Sequence, residues 1–102
     1  MSSANTAGGR GDGPFTVRGE HALITGAGSG LGLAAAKGFV AAGGRVTLVG
    51  RREAPLMEAC THLGASAAFA VGDVTDDAHR AEVVAAAEEA NGPITVLVNN
   101  AG

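Results

Sequence analysis

Thr25-Gly26-Ala27-Gly28-Ser29-Gly30-Leu31-Gly32 is the stretch that decides the fold. It follows a short apolar run, His21 to Thr25, that reads as a β-strand. It opens into a segment with Leu31, Ala34, Ala35, Gly38, Phe39 and Ala42 at helical spacing, closed by Gly43-Gly44. In a strand-turn-helix unit of this kind each glycine has its own task. Gly26 permits the tight turn, Gly30 removes a side chain where a pyrophosphate would approach the backbone, and Gly32 lets the helix lie close to the sheet. The N–H groups and the positive dipole end of that helix then face a diphosphate. A glycine-rich turn can be merely structural, but the strand before it, the helix after it and the spacing all fit a nucleotide site. A P-loop would need Gly-x-x-x-x-Gly-Lys-Ser/Thr, and the single lysine, Lys37, lies inside the helix and outside that frame. On geometry alone a methyltransferase-like site remains the alternative.

Working outward, short aliphatic runs alternate with longer Ala-rich segments, the pattern of successive βαβ units. Arg45 to Val49 reads as a second strand. Pro55 sits in the first turn of a second helix that puts Leu56, Ala59, Cys60 and Leu63 on one face and stops at Gly64. Ala67 to Val71 is a third strand. Thr75 or Asp76 can cap a third helix with Val83, Val84 and Ala87 on its inner face, and Gly92-Pro93 ends it before a fourth strand, Ile94 to Val98. Four strands joined by three helices imply a parallel sheet with right-handed crossovers. The expected fold is therefore α/β, a Rossmann-like doubly wound parallel sheet of order 3-2-1-4, truncated after its fourth strand. The switch point falls between the first and fourth strands, where ligands bind beyond the carboxyl ends.

Composition sets the outer limits. The 102 residues are 46% hydrophobic and 17% charged, a globular balance, and allow one domain. Residues 1–14 are Ser, Gly, Asn and Asp with almost nothing to bury and are expected to form a flexible leader, with the dinucleotide-binding domain occupying residues 15–102. With no Trp and no Tyr, the core must be built from Val, Leu, Ile and Ala. A net charge of -3 and dispersed arginines disfavour nucleic acid as a partner. No apolar run reaches the length of a membrane span and no secretory signal opens the chain, which points to a cytoplasmic location. The lone Cys60 reads as a buried small hydrophobe.

Three motifs then point the same way. Thr25 to Gly32 has the form Thr-Gly-x-x-x-Gly-x-Gly, Asp73-Val74 follows the third strand, and Asn99-Asn100-Ala101-Gly102 follows the fourth. In this order and spacing they resemble the cofactor-binding part of the short-chain dehydrogenases/reductases, from about Phe15 to Gly102. The resemblance implies an NAD(P)-dependent oxidoreductase that transfers a hydride between the cofactor and an alcohol or ketone, in a parent protein that is a homo-oligomer. It implies that Ser29, Gly30 and Leu31 meet the diphosphate and its ribose. It also places Asp73 on the adenine amino group, Val74 against the adenine ring, and Asn100, Ala101 and Gly102 along the nicotinamide-side ribose. Asn99 would instead hold the fourth strand to its neighbour. Taken singly, Asp73 could cap a helix, Val74 could be core and the asparagines could be turn formers.

NAD-binding folds usually carry an acid about 20 residues after the glycines, at the end of the second strand. Gly50 stands there, followed by Arg51 and Arg52, so NADP is preferred over NAD, although Ser29 stands where many NADP-using relatives carry a second basic residue. The family's chemistry uses a Ser, a Tyr and a Lys four residues after that Tyr. This sequence has no Tyr, and Lys37 is its one lysine. The chain is accordingly expected to be the cofactor-binding segment, inactive alone, with no catalytic residue of its own. A non-catalytic dinucleotide-binding module is the alternative. The apolar fourth strand is expected to expose an edge and promote self-association of the isolated chain.

Overall fold

The computed structural model describes residues 17–28 and 30–100. The expected leader, Phe15, Ser29, Ala101 and Gly102 lie outside them. His21–Thr25 (β1), Arg45–Gly50 (β2), Ala67–Val71 (β3) and Val96–Asn99 (β4) form one parallel sheet in the order β3-β2-β1-β4. Gly30–Ala41 (α1), Glu53–Leu63 (α2) and Asp77–Asn91 (α3) make the crossovers. This is the doubly wound, Rossmann-like arrangement expected from the pattern.

Alternate residues of a strand point to opposite faces. Ala22 and Ile24 of β1 accordingly pack with Val46, Leu48, Ala36 of α1 and Leu56 of α2. Leu23 goes the other way and packs with Val49 and with Val83 and Ala87 of α3. β1 is buried at all five positions because it is paired on both edges and covered on both faces. β4, at the edge of the described sheet, alternates half-buried and exposed positions, and its Leu97 is 65% exposed. Cys60 is half-buried against the α1/α2 layer, and that burial pushes its thiol pKa up. None of the helices among the described residues is long and apolar enough to cross a membrane.

Two local expectations are corrected. The buried side of α1 is not the stripe through Leu31, Ala34, Ala35 and Gly38, which are exposed. Gly32 and Ala36 are buried, with Leu33, Phe39 and Val40 half-buried beside them. Apolar residues fill nearly every position of this helix, so periodicity alone admits several phases. The phase is set by Gly32, whose backbone must lie against the turn after β1. The fourth strand begins at Val96 rather than Ile94. The Ile94 N–H donates back to Glu88 Oε2 on α3 (3.1 Å), and regular pairing starts with Ala22 opposite Val96.

The lower end of the sheet carries a buried polar network that the sequence did not suggest. His21, 1% exposed, places Nδ1 2.9 Å from the Gly92 carbonyl and Nε2 2.8 Å from Thr47 Oγ1. A carbonyl only accepts, so Nδ1 carries the proton, and in the neutral ring Nε2 accepts from the Thr47 hydroxyl. The His21 N–H donates to Thr95 Oγ1 at 2.9 Å, so one residue joins β1, β2, the end of α3 and the approach to β4. His21→Leu takes the donor from the Gly92 carbonyl and the acceptor from the buried Thr47 hydroxyl, which keeps only the longer contact from Asn91 Nδ2 (3.4 Å), and should cost about 2 kcal/mol. Urea unfolding at neutral pH measures this, and a midpoint equal to that of the parent would reduce the network to a bystander.

Candidate functional site

The parallel register brings the carboxyl ends of all four strands to one rim, with Thr25 opposite both Val49 and Asn99, and Gly50 opposite Val71. Gly26 has φ 63°, in the left-handed region that glycine enters at little cost, and it turns the chain sharply from β1 toward α1. Thr25 is the hub beneath this turn. Its hydroxyl donates to Asn99 Oδ1 at 3.0 Å and accepts from the Asn100 N–H at 3.1 Å. The Asn99 side chain therefore ties β4 to β1, as expected. Asn100 reaches the turn as well, with Nδ2 3.5 Å from the Gly26 carbonyl. The sequence reads Thr25 as the last residue of a strand and the first of the glycine motif, and neither reading gives its hydroxyl this pairing role.

Gly32 and Gly30 differ in what surrounds them. A Cβ built on Gly32 would sit 2.6 Å from the Gly26 carbonyl oxygen and 2.9 Å from Ala27 Cα, so this glycine is required by close packing of helix on turn. A Cβ on Gly30 would meet nothing within 4 Å, and its φ lies outside the left-handed region. Neither packing nor backbone conformation within the described residues requires a glycine there. Leu31, beside it at the start of α1, is 74% exposed. The opening of the helix thus faces unfilled space at the rim, where N–H groups of a first helical turn lack intrahelical acceptors and the dipole is positive.

Across the rim, Gly50 ends β2, and Arg51 and Arg52 follow it, both exposed. A Cβ on Gly50 would lie 3.4 Å from Leu56 Cδ2, tight against the core side of α2. Asp73 follows β3 by two residues and does not cap α3. That task belongs to Asp76, whose Oδ1 accepts the His79 N–H at 3.1 Å. Asp73 Oδ1 instead accepts the Thr75 hydroxyl (2.6 Å) and the Thr75 N–H (3.0 Å). These bonds hold its carboxyl below the usual range, helped by the positive charge of Arg51 and by His79, so it is an ionised acceptor at neutral pH. Val74 is half-buried and packs toward Leu23 and Val83, so part of its side chain belongs to the core. Of the expected site residues that are described, Gly26, Gly30, Leu31, Gly32, Arg51, Arg52, Asp73, Val74 and Asn100 gather at this one rim. The donors, the acceptor and the open space above Gly30 fit a diphosphate flanked by an adenosine.

A parallel α/β sheet of order β3-β2-β1-β4 with a glycine turn at its switch point defines the Rossmann-like, nucleotide-binding class of folds. The short chain dehydrogenase family model matches residues 20–102, and the chain belongs to that family. It is 46% identical over 89 residues to a galactitol 2-dehydrogenase (L-tagatose-forming) of Cereibacter sphaeroides, covering 86% of this chain and 35% of that one. Among solved structures, the actinorhodin polyketide ketoreductase with NADPH superposes with TM-score 0.77 at 41% identity, over 81% of this chain and 33% of that one. The 3-ketoacyl-(acyl-carrier-protein) reductase of Brucella melitensis, complexed with NADH, gives TM-score 0.76 at 35% identity, over 78% and 33%. The chain therefore spans about a third of the length of these relatives.

Proposed function

We propose that this chain is the cofactor-binding portion of an NAD(P)-dependent oxidoreductase that transfers a hydride between NADP and a small alcohol or ketone. The observation that carries the reading is the glycine at position 30, required by nothing around it among the described residues, at the mouth of a helix on the switch-point rim. Relatives solved with NADH and NADPH support the cofactor class, and the galactitol dehydrogenase supports an alcohol as substrate.

In this reading the start of α1, with Ser29, Gly30 and Leu31, receives the diphosphate, and Gly32 keeps that helix end against the turn. Asp73 accepts the adenine amino group, and the exposed part of Val74 lies against the ring. Asn100, Ala101 and Gly102 line the nicotinamide-side ribose. Bound nicotinamide supplies the hydride chemistry. The family's Tyr-x-x-x-Lys pair has no counterpart in these 102 residues, which contain no Tyr and the single Lys37, an exposed residue of α1. We therefore assign this segment binding and orientation and leave proton transfer to the rest of the protein. Titration with NADPH and NADH, followed by nicotinamide fluorescence, tests the assignment. Saturable binding of at least one is expected, and absence of both would overturn it.

Arg51 and Arg52, with no acid at Gly50, favour the 2′-phosphate. Arg51→Ala should weaken NADPH by about 1 to 3 kcal/mol through loss of a charge-assisted contact, and should leave NADH nearly unchanged. Comparison of the two dissociation constants decides this, and equal losses would make Arg51 an ordinary surface residue.

A further inference from the structure

The strongest side-chain grip that α3 places on the loop between β3 and α3 comes from Arg80. Arg80, in the first turn of α3, donates from Nη1 to the Val74 carbonyl at 2.7 Å, and its other terminal nitrogen pairs with Asp77. The N–H of the same 74–75 peptide, on Thr75, donates to Asp73 Oδ1 at 3.0 Å. The peptide plane is thus clamped at both ends, by a guanidinium on its oxygen and by a carboxylate on its nitrogen. Because the Thr75 hydroxyl also uses Oδ1, the local bonds to the Asp73 carboxylate fall on one oxygen, and Oδ2 takes no part in them. The Asp73 N–H meets His79 Nδ1 at 3.4 Å, a longer contact that adds little. An ion pair with side chains 52% and 91% exposed holds weakly. The grip of Arg80 therefore rests on the short bond to the carbonyl and on its place beside Val83 and Val84 along a groove of about 300 Å³.

We propose that Arg80 is a positioning residue for the adenine side of the site, fixing the 74–75 peptide so that Asp73 and Val74 present a rigid edge to the base. The inference rests on the dinucleotide reading above and goes beyond it, since it gives Arg80 a task exerted through the 74–75 peptide. Without the clamp, the peptide can rotate about ψ of Val74, Asp73 loses the N–H that orients its carboxylate, and ordering the loop is charged against binding. A planar two-pronged donor suits this task better than an ammonium, because it reaches the carbonyl and Asp77 together.

The test uses the whole natural gene product and three probes: NADPH, ADP-ribose, and reduced nicotinamide mononucleotide, which lacks the adenine half. Arg80→Met should raise the dissociation constants of NADPH and ADP-ribose roughly tenfold, the cost of ordering the freed loop on binding. The mononucleotide constant and the melting midpoint should stay where they were. Arg80→Lys should recover part of the loss, because one donor to the Val74 carbonyl remains. Equal weakening of all three probes together with a lower melting midpoint would overturn the proposal and make Arg80 a residue of fold stability. So would an unchanged constant for ADP-ribose. Should the parent protein bind neither NADPH nor ADP-ribose, the dinucleotide reading itself fails, and this inference with it.

Discussion

Gly30→Val is expected to abolish dinucleotide binding at accessible concentrations, a loss of about 100-fold or more, equivalent to roughly 3 kcal/mol. The melting midpoint should move little. A valine can adopt the backbone conformation at this position, and its Cβ would touch no heavy atom of the described chain within 4 Å. Replacing glycine near a helix start carries no propensity penalty that would unfold the domain. What the side chain does fill is the space over the first turn of α1, where a diphosphate must come within hydrogen-bond distance of backbone N–H groups. Fluorescence titration paired with a thermal melt reads both quantities on one sample. An unchanged dissociation constant would remove the diphosphate from this loop. A collapse of the melt would show that Gly30 has a structural task invisible in its surroundings.

The parts of this fold that were legible in the sequence are those encoded by residues close together along the chain. The glycine turn, the proline in the first turn of α2, the Gly64 and Gly92 stops and the alternation of aliphatic runs with Ala-rich segments each constrain the backbone locally. With right-handed crossovers they leave a small set of doubly wound strand orders, and the expected one, 3-2-1-4, is the order found. The phase of α1 was not legible, because Leu, Ala, Val and Gly occupy nearly all of its positions, and a stripe can be drawn on more than one side. The start of β4 was misplaced because Ile94 is as apolar as the strand residues that follow, yet its N–H is taken by Glu88. The His21 network could not be read at all. Its partners lie 26, 71 and 74 residues away, and nothing in a lone histidine within an apolar run announces them. At the rim, Asp73 and Asn100 were singled out from their motifs. The bonds of Thr25 and Arg80 depend on which way a hydroxyl and a guanidinium turn, and residue type alone does not give that.

Gly32→Ala supplies the complementary result, and the effect should fall on the fold first. The added methyl would lie 2.6 Å from the Gly26 carbonyl oxygen, 2.9 Å from Ala27 Cα and 3.0 Å from Asn100 Nδ2. The first two are backbone atoms of the turn and cannot rotate aside, so α1 must lift away from β1 and open the packing around Ala36. Overpacking of this kind costs about 1 to 3 kcal/mol and sometimes more, and two rigid contacts under 3 Å argue for the upper end. For a domain of this size about 3 kcal/mol corresponds to a fall of roughly 10 °C or more in the melting midpoint. Binding should weaken with it, because the lifted helix no longer aims its opening N–H groups at the rim. Successive residues of an α-helix are about 100° apart, so Gly30 and Gly32 face nearly opposite directions, one toward the open rim and one toward the turn. The two substitutions must therefore separate: Gly30→Val should lose ligand and keep the fold, whereas Gly32→Ala should lose stability in the absence of any ligand. An alanine at position 32 that melts with the parent would mean that α1 has slack against the turn. The close approach would then not be what sets the helix phase, and the outward direction of Leu31 would need a cause other than Gly32.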